Sequence, residues 1–175
     1  MKGLKRLALL LATAVMTVSA VALVGCAEKT NASYSTGVPE SYADKVTLII
    51  DDLSTEEVDA YFQVDYAEFA QDATAFDLME KLKADGKLCF KSEDSSYGAF
   101  LTAAGVIEGG EEKYLIEADD AAQVFIAIYT NVEAEMLGPN SITYGSETVE
   151  SSAVGISQMT LKNGAVICLT AESWA

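Results

Sequence analysis

The sequence of 175 residues contains no histidine. This absence excludes Ser-His-Asp and Cys-His catalysis, the commonest zinc sites and the usual proton shuttle near neutral pH. Basic residues are scarce as well, because 11 lysines and arginines stand against 27 aspartates and glutamates. A surface of that charge repels nucleic acid and anionic lipid headgroups. We therefore expect a protein that binds neither directly. We also expect no enzyme, since only paired carboxylates would remain for catalysis.

The first 25 residues have the composition of an export signal. Basic residues stand within the first six positions, and an uncharged apolar run without proline follows from position 7 to Gly25. The run ends in Leu-Val-Gly before Cys26, which resembles the lipobox of bacterial lipoproteins. In that family the cysteine thiol receives a diacylglyceryl group, and the peptide is cut just before it. The alternative is a plain transmembrane anchor, because the run is nearly long enough to span a bilayer.

Cleavage after residues 1–25 would leave one domain on a lipid anchor. Two acyl chains hold a protein stably on a membrane, and a diacylglyceryl cysteine supplies both. Residues 26–44 then comprise the lipidated cysteine and a small, polar, flexible tether. Residues 45–172 are long enough for one domain with its own core. We expect this domain at the cell membrane, facing outside the cytoplasm.

One amphipathic helix is predicted after position 74. Thr74 can cap its first turn, and Phe76, Met79 and Leu82 recur every three residues along one side. Gly86 supplies a stop at the C-terminal end. The helix should therefore lie with its apolar side on a sheet.

Alternating or continuous apolar runs predict the strands of that sheet. They cover residues 45–50, 62–67, 88–90, 97–101, 114–116 and 124–129, with a closing hairpin of 156–161 and 165–170 around Lys162-Asn163-Gly164. Residues 138–152 are polar, contain glycine and proline, and predict a long loop. One helix on several strands gives an α+β domain with a mixed sheet, its second face at least partly open.

Two segments resemble the DUF4430 family. They are Asp72-Ala-Thr-Ala-Phe-Asp-Leu-Met79 and Tyr97-Gly-Ala-Phe-Leu-Thr-Ala-Ala-Gly-Val106, and the family is similar to the C-terminal β-domain of transcobalamin and intrinsic factor. The resemblance implies a single β-grasp-like domain with one main helix on one face of the sheet, and a corrinoid as a ligand of better-known relatives. Many members carry a tryptophan-containing segment after the second motif, whereas the only tryptophan here is Trp174. No ligand contact is carried over, so the cofactor-binding residues stay unknown.

Two cysteines, Cys89 and Cys168, remain in the exported part. They fall on separate predicted strands, which are commonly neighbours in a β-grasp sheet. A disulfide is one interpretation, because the compartment permits it. Two buried thiols that pack as small apolar side chains are the other, and the apolar flanking residues favour it.

Paired acidic residues are candidates for calcium ligands. The pairs are Asp51-Asp52, Glu56-Glu57, Glu111-Glu112 and Asp119-Asp120. None has the alternating ligands and central glycine of an EF-hand loop. Solvated turns are therefore the favoured interpretation, and we predict no metal site.

Four aromatic residues, Tyr97, Phe100, Tyr114 and Tyr129, have two interpretations. In the first interpretation they line an apolar surface that faces a ligand. In the second they fill the hydrophobic core.

Three functions remain open. The first is a lipid-anchored binding module for a small molecule, with a corrinoid as the family-level suggestion, or for an envelope protein. The second is a structural or assembly subunit of an envelope complex without a small-molecule ligand. The third is a hydrolase of cell-wall glycans that uses two facing carboxylates.

Overall fold

The computed structural model describes residues 32–173. The predicted signal peptide, Cys26 and Trp174 lie outside these residues. In the described part, no helix has both the length and the apolar character needed to cross a membrane.

The described chain contains ten strands and one α-helix. In chain order they are β1 (Ala32–Tyr34), β2 (Lys45–Ile50), β3 (Ala60–Asp65), α1 (Ala75–Ala84), β4 (Leu88–Ser95), β5 (Gly98–Glu108), β6 (Glu111–Glu117), β7 (Val124–Thr130), β8 (Met136–Tyr144), β9 (Glu147–Ser152) and β10 (Val166–Ser173). Short 3-10 turns precede β8 and follow β3.

The strands form one large and one small sheet. The large sheet has seven strands in the order β1-β8-β9-β7-β10-β2-β3, and the small one has the order β4-β5-β6. Strand β10 runs parallel to β2 and antiparallel to β7, so the large sheet is mixed. The small sheet is antiparallel throughout. These elements agree with the predicted α+β class and with a mixed sheet.

The predicted helix is confirmed, and its first turn is closed by a capping box. The Thr74 hydroxyl accepts a hydrogen bond from the Asp77 N–H at 3.4 Å, and the Asp77 carboxylate accepts one from the Thr74 N–H at 2.7 Å. The pair satisfies two N–H groups that a helix start otherwise leaves without partners. Gly86 follows the helix with φ of +69°, a conformation that glycine adopts without a steric penalty.

The first hydrophobic core lies between one face of the large sheet and a layer formed by α1 and the small sheet. Alternate residues of β2, Val46, Leu48 and Ile50, point into it, as do Ile167 and Leu169 of β10. The helix contributes its buried side, and β4, β5 and β6 contribute Leu88, Phe90, Leu101, Ala104 and Ile116.

A second core covers the other face of the large sheet. Ile49, Val166 and Cys168 pack there against Tyr42 and Tyr144. Tyr42 donates a hydrogen bond to the Tyr144 carbonyl at 2.9 Å, which ties the segment after β1 to the end of β8. Strands β1, β8 and β9 curl over the middle of this face and cover it. The expected opening is limited to the edge, where Tyr61 of β3, which pairs with Ile49, is 42% exposed.

The segment 138–152, predicted as a loop, forms most of the hairpin β8–β9. Ile142 and Tyr144 are buried and alternate with more exposed polar residues, and Val149 is buried opposite them. Gly145 makes the turn with φ of +62°. Glycine and proline at the start of β8 concealed this alternation. The neighbouring β1 pairs parallel with β8, so Ala32–Tyr34 of the predicted tether belong to the sheet.

The predicted closing hairpin is wrong in its first strand. Ile156, Met159 and Leu161 are buried in the first core, but this segment has only one isolated bridge, between Thr160 and Thr74. Strand β10 pairs with β7 and β2 instead. A turn does form where it was predicted, with the Ala165 N–H bonded to the Lys162 carbonyl at 3.0 Å. Asn-Gly thus marks a turn whose two flanking segments do not pair.

The contact between β5 and β6 predicts a sharp difference between two glycines. A Cβ atom on Gly105 would lie 2.0 Å from the Lys113 carbonyl oxygen, whereas one on Gly155 would meet nothing closer than the Tyr97 carbonyl oxygen at 3.7 Å. We expect Gly105→Ala to lower the free energy of unfolding by about 1–3 kcal/mol or more, because backbone must move. Gly155→Ala should change it little. Equal urea unfolding curves for both variants would contradict the strand packing.

Candidate functional site

Of the four acidic pairs, one contains a buried carboxylate. Asp51 has no exposed surface, whereas Asp52 is exposed, as are the three other pairs. The prediction of a solvated turn is therefore wrong for Asp51. The reason is its position, because it directly follows the buried strand β2 and its N–H still donates to the Leu169 carbonyl of β10 at 3.1 Å.

Asp51 belongs to a cluster of three carboxylates at the end of β2. Asp51, Asp52 and Asp59 each place one oxygen so that the three atoms lie within 4.8 Å of one another. The Asp59 carboxylate also accepts a hydrogen bond from the Asp52 N–H at 2.8 Å, which holds the two ends of the loop between β2 and β3 together. We call Asp51, Asp52 and Asp59 the aspartate cluster.

The Asp51 carboxylate has two hydrogen-bond donors of its own. The Leu53 N–H donates to one oxygen at 2.9 Å, and the Tyr144 hydroxyl donates to the other at 3.2 Å. Burial raises the pKa of Asp51, and the charges of Asp59 and Asp52 raise it further, while the two hydrogen bonds oppose the change. The fold therefore holds this carboxylate in a place that disfavours its charge.

Tyrosines line the inner side of the cluster. Tyr34 of β1 stacks on Tyr144 of β8 with ring centroids 5.2 Å apart. Burial, and then the charge of Asp51, raise the pKa of Tyr34 well above the usual range. The Tyr144 hydroxyl also lies 3.0 Å from the Cys168 sulfur, and burial is the largest cause that raises its pKa. Burial thus favours the protonated form of both phenols, and that of Tyr144 donates a hydrogen bond to Asp51.

The aspartate cluster has no basic neighbour that would balance its charge. Between Lys45 and Lys81 the sequence contains no lysine or arginine. Within residues 32–173, no ion pair involves any of the three aspartates, and the lysines that do form ion pairs bind other carboxylates. The cluster is therefore a local concentration of negative charge.

An open groove of about 420 Å³ lies beside the cluster. It is lined by β1 and by the loop between β2 and β3, through Ser33, Tyr34, Thr55, Glu56 and Glu57 among others. Hydroxyls and carboxylates dominate this lining, which suits a polar or cationic ligand.

The four aromatic residues do not form one surface. Tyr129 lies in the second core, and its hydroxyl donates to Glu172 at 2.7 Å, so the core interpretation holds for it. Tyr97 and Phe100 are exposed by 79% and 48%. Tyr114 is half-buried beneath the Lys91 ammonium, which lies 4.1 Å from its ring centroid.

Among the described residues, Cys89 and Cys168 are buried and form no disulfide bond, so the thiol interpretation is confirmed and the disulfide is wrong. Cys89 lies on β4 of the small sheet and Cys168 on β10 of the large one, which are not neighbouring strands. The Cys89 thiol donates to the Val106 carbonyl at 3.3 Å, and burial is the largest cause that raises its pKa.

Comparison with known proteins finds solved structures that resemble this chain at low sequence identity and with low TM-scores. No family model matches the chain, and no curated protein does. A Ruminococcus gnavus crystal structure, provisionally described as a metal-binding protein, matches with 19% identity and a TM-score of 0.45, over 75% of this chain and 99% of that one. Haptocorrin in complex with Cbi matches with 15% identity and a TM-score of 0.48, over 75% of this chain. The match spans 25% of the haptocorrin chain.

The Tyr144 hydroxyl gives a direct test of the buried polar contacts. Tyr144→Phe removes the donor to Asp51 and leaves a buried carboxylate oxygen without it, so we expect a loss of about 1–3 kcal/mol in the free energy of unfolding. Tyr97→Phe removes an exposed hydroxyl and should stay within about 0.5 kcal/mol of the parent. Urea unfolding at neutral pH measures both. A Tyr144→Phe protein as stable as Tyr97→Phe would show that the contact is not formed.

Proposed function

We propose that this protein is a lipid-anchored, extracytoplasmic binding module with a β-grasp-like domain of the DUF4430 type. The observation that supports the proposal most strongly is the apolar run that follows the basic N-terminal residues and ends at Gly25 and Cys26. The described domain begins with β1 shortly after Cys26, so the domain would stand close to the membrane.

A binding role fits the surface better than catalysis does. Histidine is absent, and Asp51, the innermost carboxylate of the aspartate cluster, has no exposed surface with which to reach a glycan. Two carboxylates must flank the bond that a glycosidase cleaves. The groove beside β1 and the exposed side chains of Tyr97 and Phe100 instead offer recognition surfaces.

The ligand class follows from the resemblance and from these surfaces. A small molecule, with a corrinoid as the family-level candidate, would use the exposed aromatic side chains at the β4–β5 turn. An envelope protein is the other class of ligand. A structural or assembly subunit without a small-molecule ligand is the alternative function.

The anchor is tested by expressing the full chain in a bacterial host. We expect mass spectrometry to find a chain that begins at Cys26 and carries a diacylglyceryl group, and fractionation to place it with the membrane. Cys26→Ser should abolish the modification and the cleavage, whereas Cys89→Ser should retain both. An intact N-terminus, or an unmodified sulfur on Cys26 in the parent protein, would refute the anchor.

The ligand is tested by thermal unfolding of the purified full chain in detergent. At a concentration about 100 times the dissociation constant, a ligand adds about 2.7 kcal/mol to stability, which raises Tm by several degrees. We expect such a rise with a corrinoid, and its loss in the double variant Tyr97→Ala, Phe100→Ala. Tyr61→Ala is the control, because Tyr61 is also exposed but lies on β3. No rise, together with a stoichiometric envelope protein in the purified sample, would favour the assembly subunit.

A further inference from the structure

The aspartate cluster has the spacing of a cation site. Calcium binds carboxylate oxygens at about 2.3–2.6 Å, so two oxygens on one ion lie at most about 5 Å apart. The three oxygens of Asp51, Asp52 and Asp59 all fall within 4.8 Å of one another. Small rotations of the side chains can therefore bring all three oxygens onto one ion.

An independent observation lies on the neighbouring strand. The hydroxyl oxygen of Thr170 on β10 is buried, with no exposed surface on the residue, and it has no hydrogen-bond partner among residues 32–173. Buried side-chain oxygens are nearly always bonded, so one without a partner needs an explanation. Desolvating such a group costs about 1–3 kcal/mol.

The strand register directs Thr170 to the cluster. Leu169 pairs with Ile50 in the parallel β10–β2 ladder, and the Asp51 N–H bonds to the Leu169 carbonyl at 3.1 Å. Thr170 therefore lies beside Asp51, and neighbours in a parallel ladder project to the same face.

Tyr144 identifies that face. Its hydroxyl contacts both Asp51 and Cys168, and Cys168 lies two residues before Thr170 on β10. The Thr170 side chain therefore projects to the same face of the sheet as the Asp51 carboxylate and the Tyr144 hydroxyl.

We propose that Asp51, Asp52 and Asp59 bind one divalent cation, with the Thr170 hydroxyl completing the inner side of the site. The donors are all oxygen atoms, and this set prefers hard cations over zinc or copper. Two exposed carboxylates on a loop make an irregular site, which Ca²⁺ accepts more readily than Mg²⁺, because Mg²⁺ demands near-ideal octahedral geometry. Waters fill the remaining positions on the solvent side. This site does not depend on the lipid anchor or on the corrinoid.

Bound calcium would fix the loop between β2 and β3. Asp51 and Asp52 stand at its start and Asp59 at its end, and Glu56 and Glu57 between them line the groove beside β1. The ion would therefore set the shape of one wall of that groove.

The test is a titration of the purified full chain with Ca²⁺, followed by calorimetry, and with Tb³⁺, followed by luminescence excited through tyrosine. Tyr144 and Tyr34 lie beside the cluster and can sensitise Tb³⁺. We expect one site per chain with a dissociation constant of about 1 mM or tighter. Mg²⁺ should bind at least about tenfold more weakly than Ca²⁺.

Variants separate the parts of the site. Asp59→Asn and Asp52→Asn remove exposed carboxylates, so they should fold normally and weaken Ca²⁺ binding about tenfold or more. Thr170→Val keeps the shape of the side chain and should weaken binding several-fold. The double variant Glu111→Gln, Glu112→Gln is the control, since it removes two charges from the small sheet and should leave affinity unchanged.

The Ca²⁺ affinities of the parent protein and its variants decide whether the cation site exists. No saturable Ca²⁺ binding up to about 10 mM, or equal affinity in the parent and in Asp59→Asn, would overturn the site. A fall in affinity as large in the Glu111, Glu112 control as in Asp59→Asn would show that only general charge attracts the ion. Unchanged affinity in Thr170→Val would remove Thr170 from the site.

Discussion

Pairing of β10 with both β2 and β7 is the interaction on which the rest of the structure depends. Ile167 and Leu169 face the first core, and Val166 and Cys168 face the second. Because successive residues of a strand point to opposite faces, one strand supplies side chains to both cores. Any change of register by one residue would exchange the two sets. Burial on both faces therefore specifies this register strongly.

The same pairing explains how a carboxylate comes to be buried. Every residue of β2 from Val46 to Ile50 is buried, and the ladder with β10 continues for one more hydrogen bond, to Asp51. Asp51 alternates to the face that β8 covers, where the Tyr144 hydroxyl meets it. A buried carboxylate is costly unless hydrogen bonds or a positive charge stabilise it. Here Tyr144 and the Leu53 N–H provide the hydrogen bonds, and no lysine pairs with it in the described chain.

The sequence predicts those helices and strands that are marked by residues within the element itself or directly beside it. The helix was predicted because Thr74 and Gly86 mark its ends, and β2 and β7 because they are continuous apolar runs. The hairpin β8–β9 was missed because its glycine and proline at the start resemble a loop. The strand order was not predictable either, since Asn163-Gly164 marks a turn but not which strands pair. The aspartate cluster depends on that order: Asp59 becomes a neighbour of Asp51 only when β3 pairs with β2.

Geometry also relates the proposed anchor to the aspartate cluster. Strand β1 is the first described element of the chain, and it lies at one edge of the large sheet beside β8. Its Tyr34 stacks on Tyr144, and Tyr144 donates a hydrogen bond to Asp51, so a short series of contacts joins the first described strand to the aspartate cluster. The groove beside β1 is lined by Tyr34, at one end of that series, and by Glu56 and Glu57 of the loop that the aspartates border. A ligand in the groove would therefore touch both the first described strand and the loop that the aspartates border. With the proposed anchor at Cys26, recognition and attachment would lie on the same side of the domain.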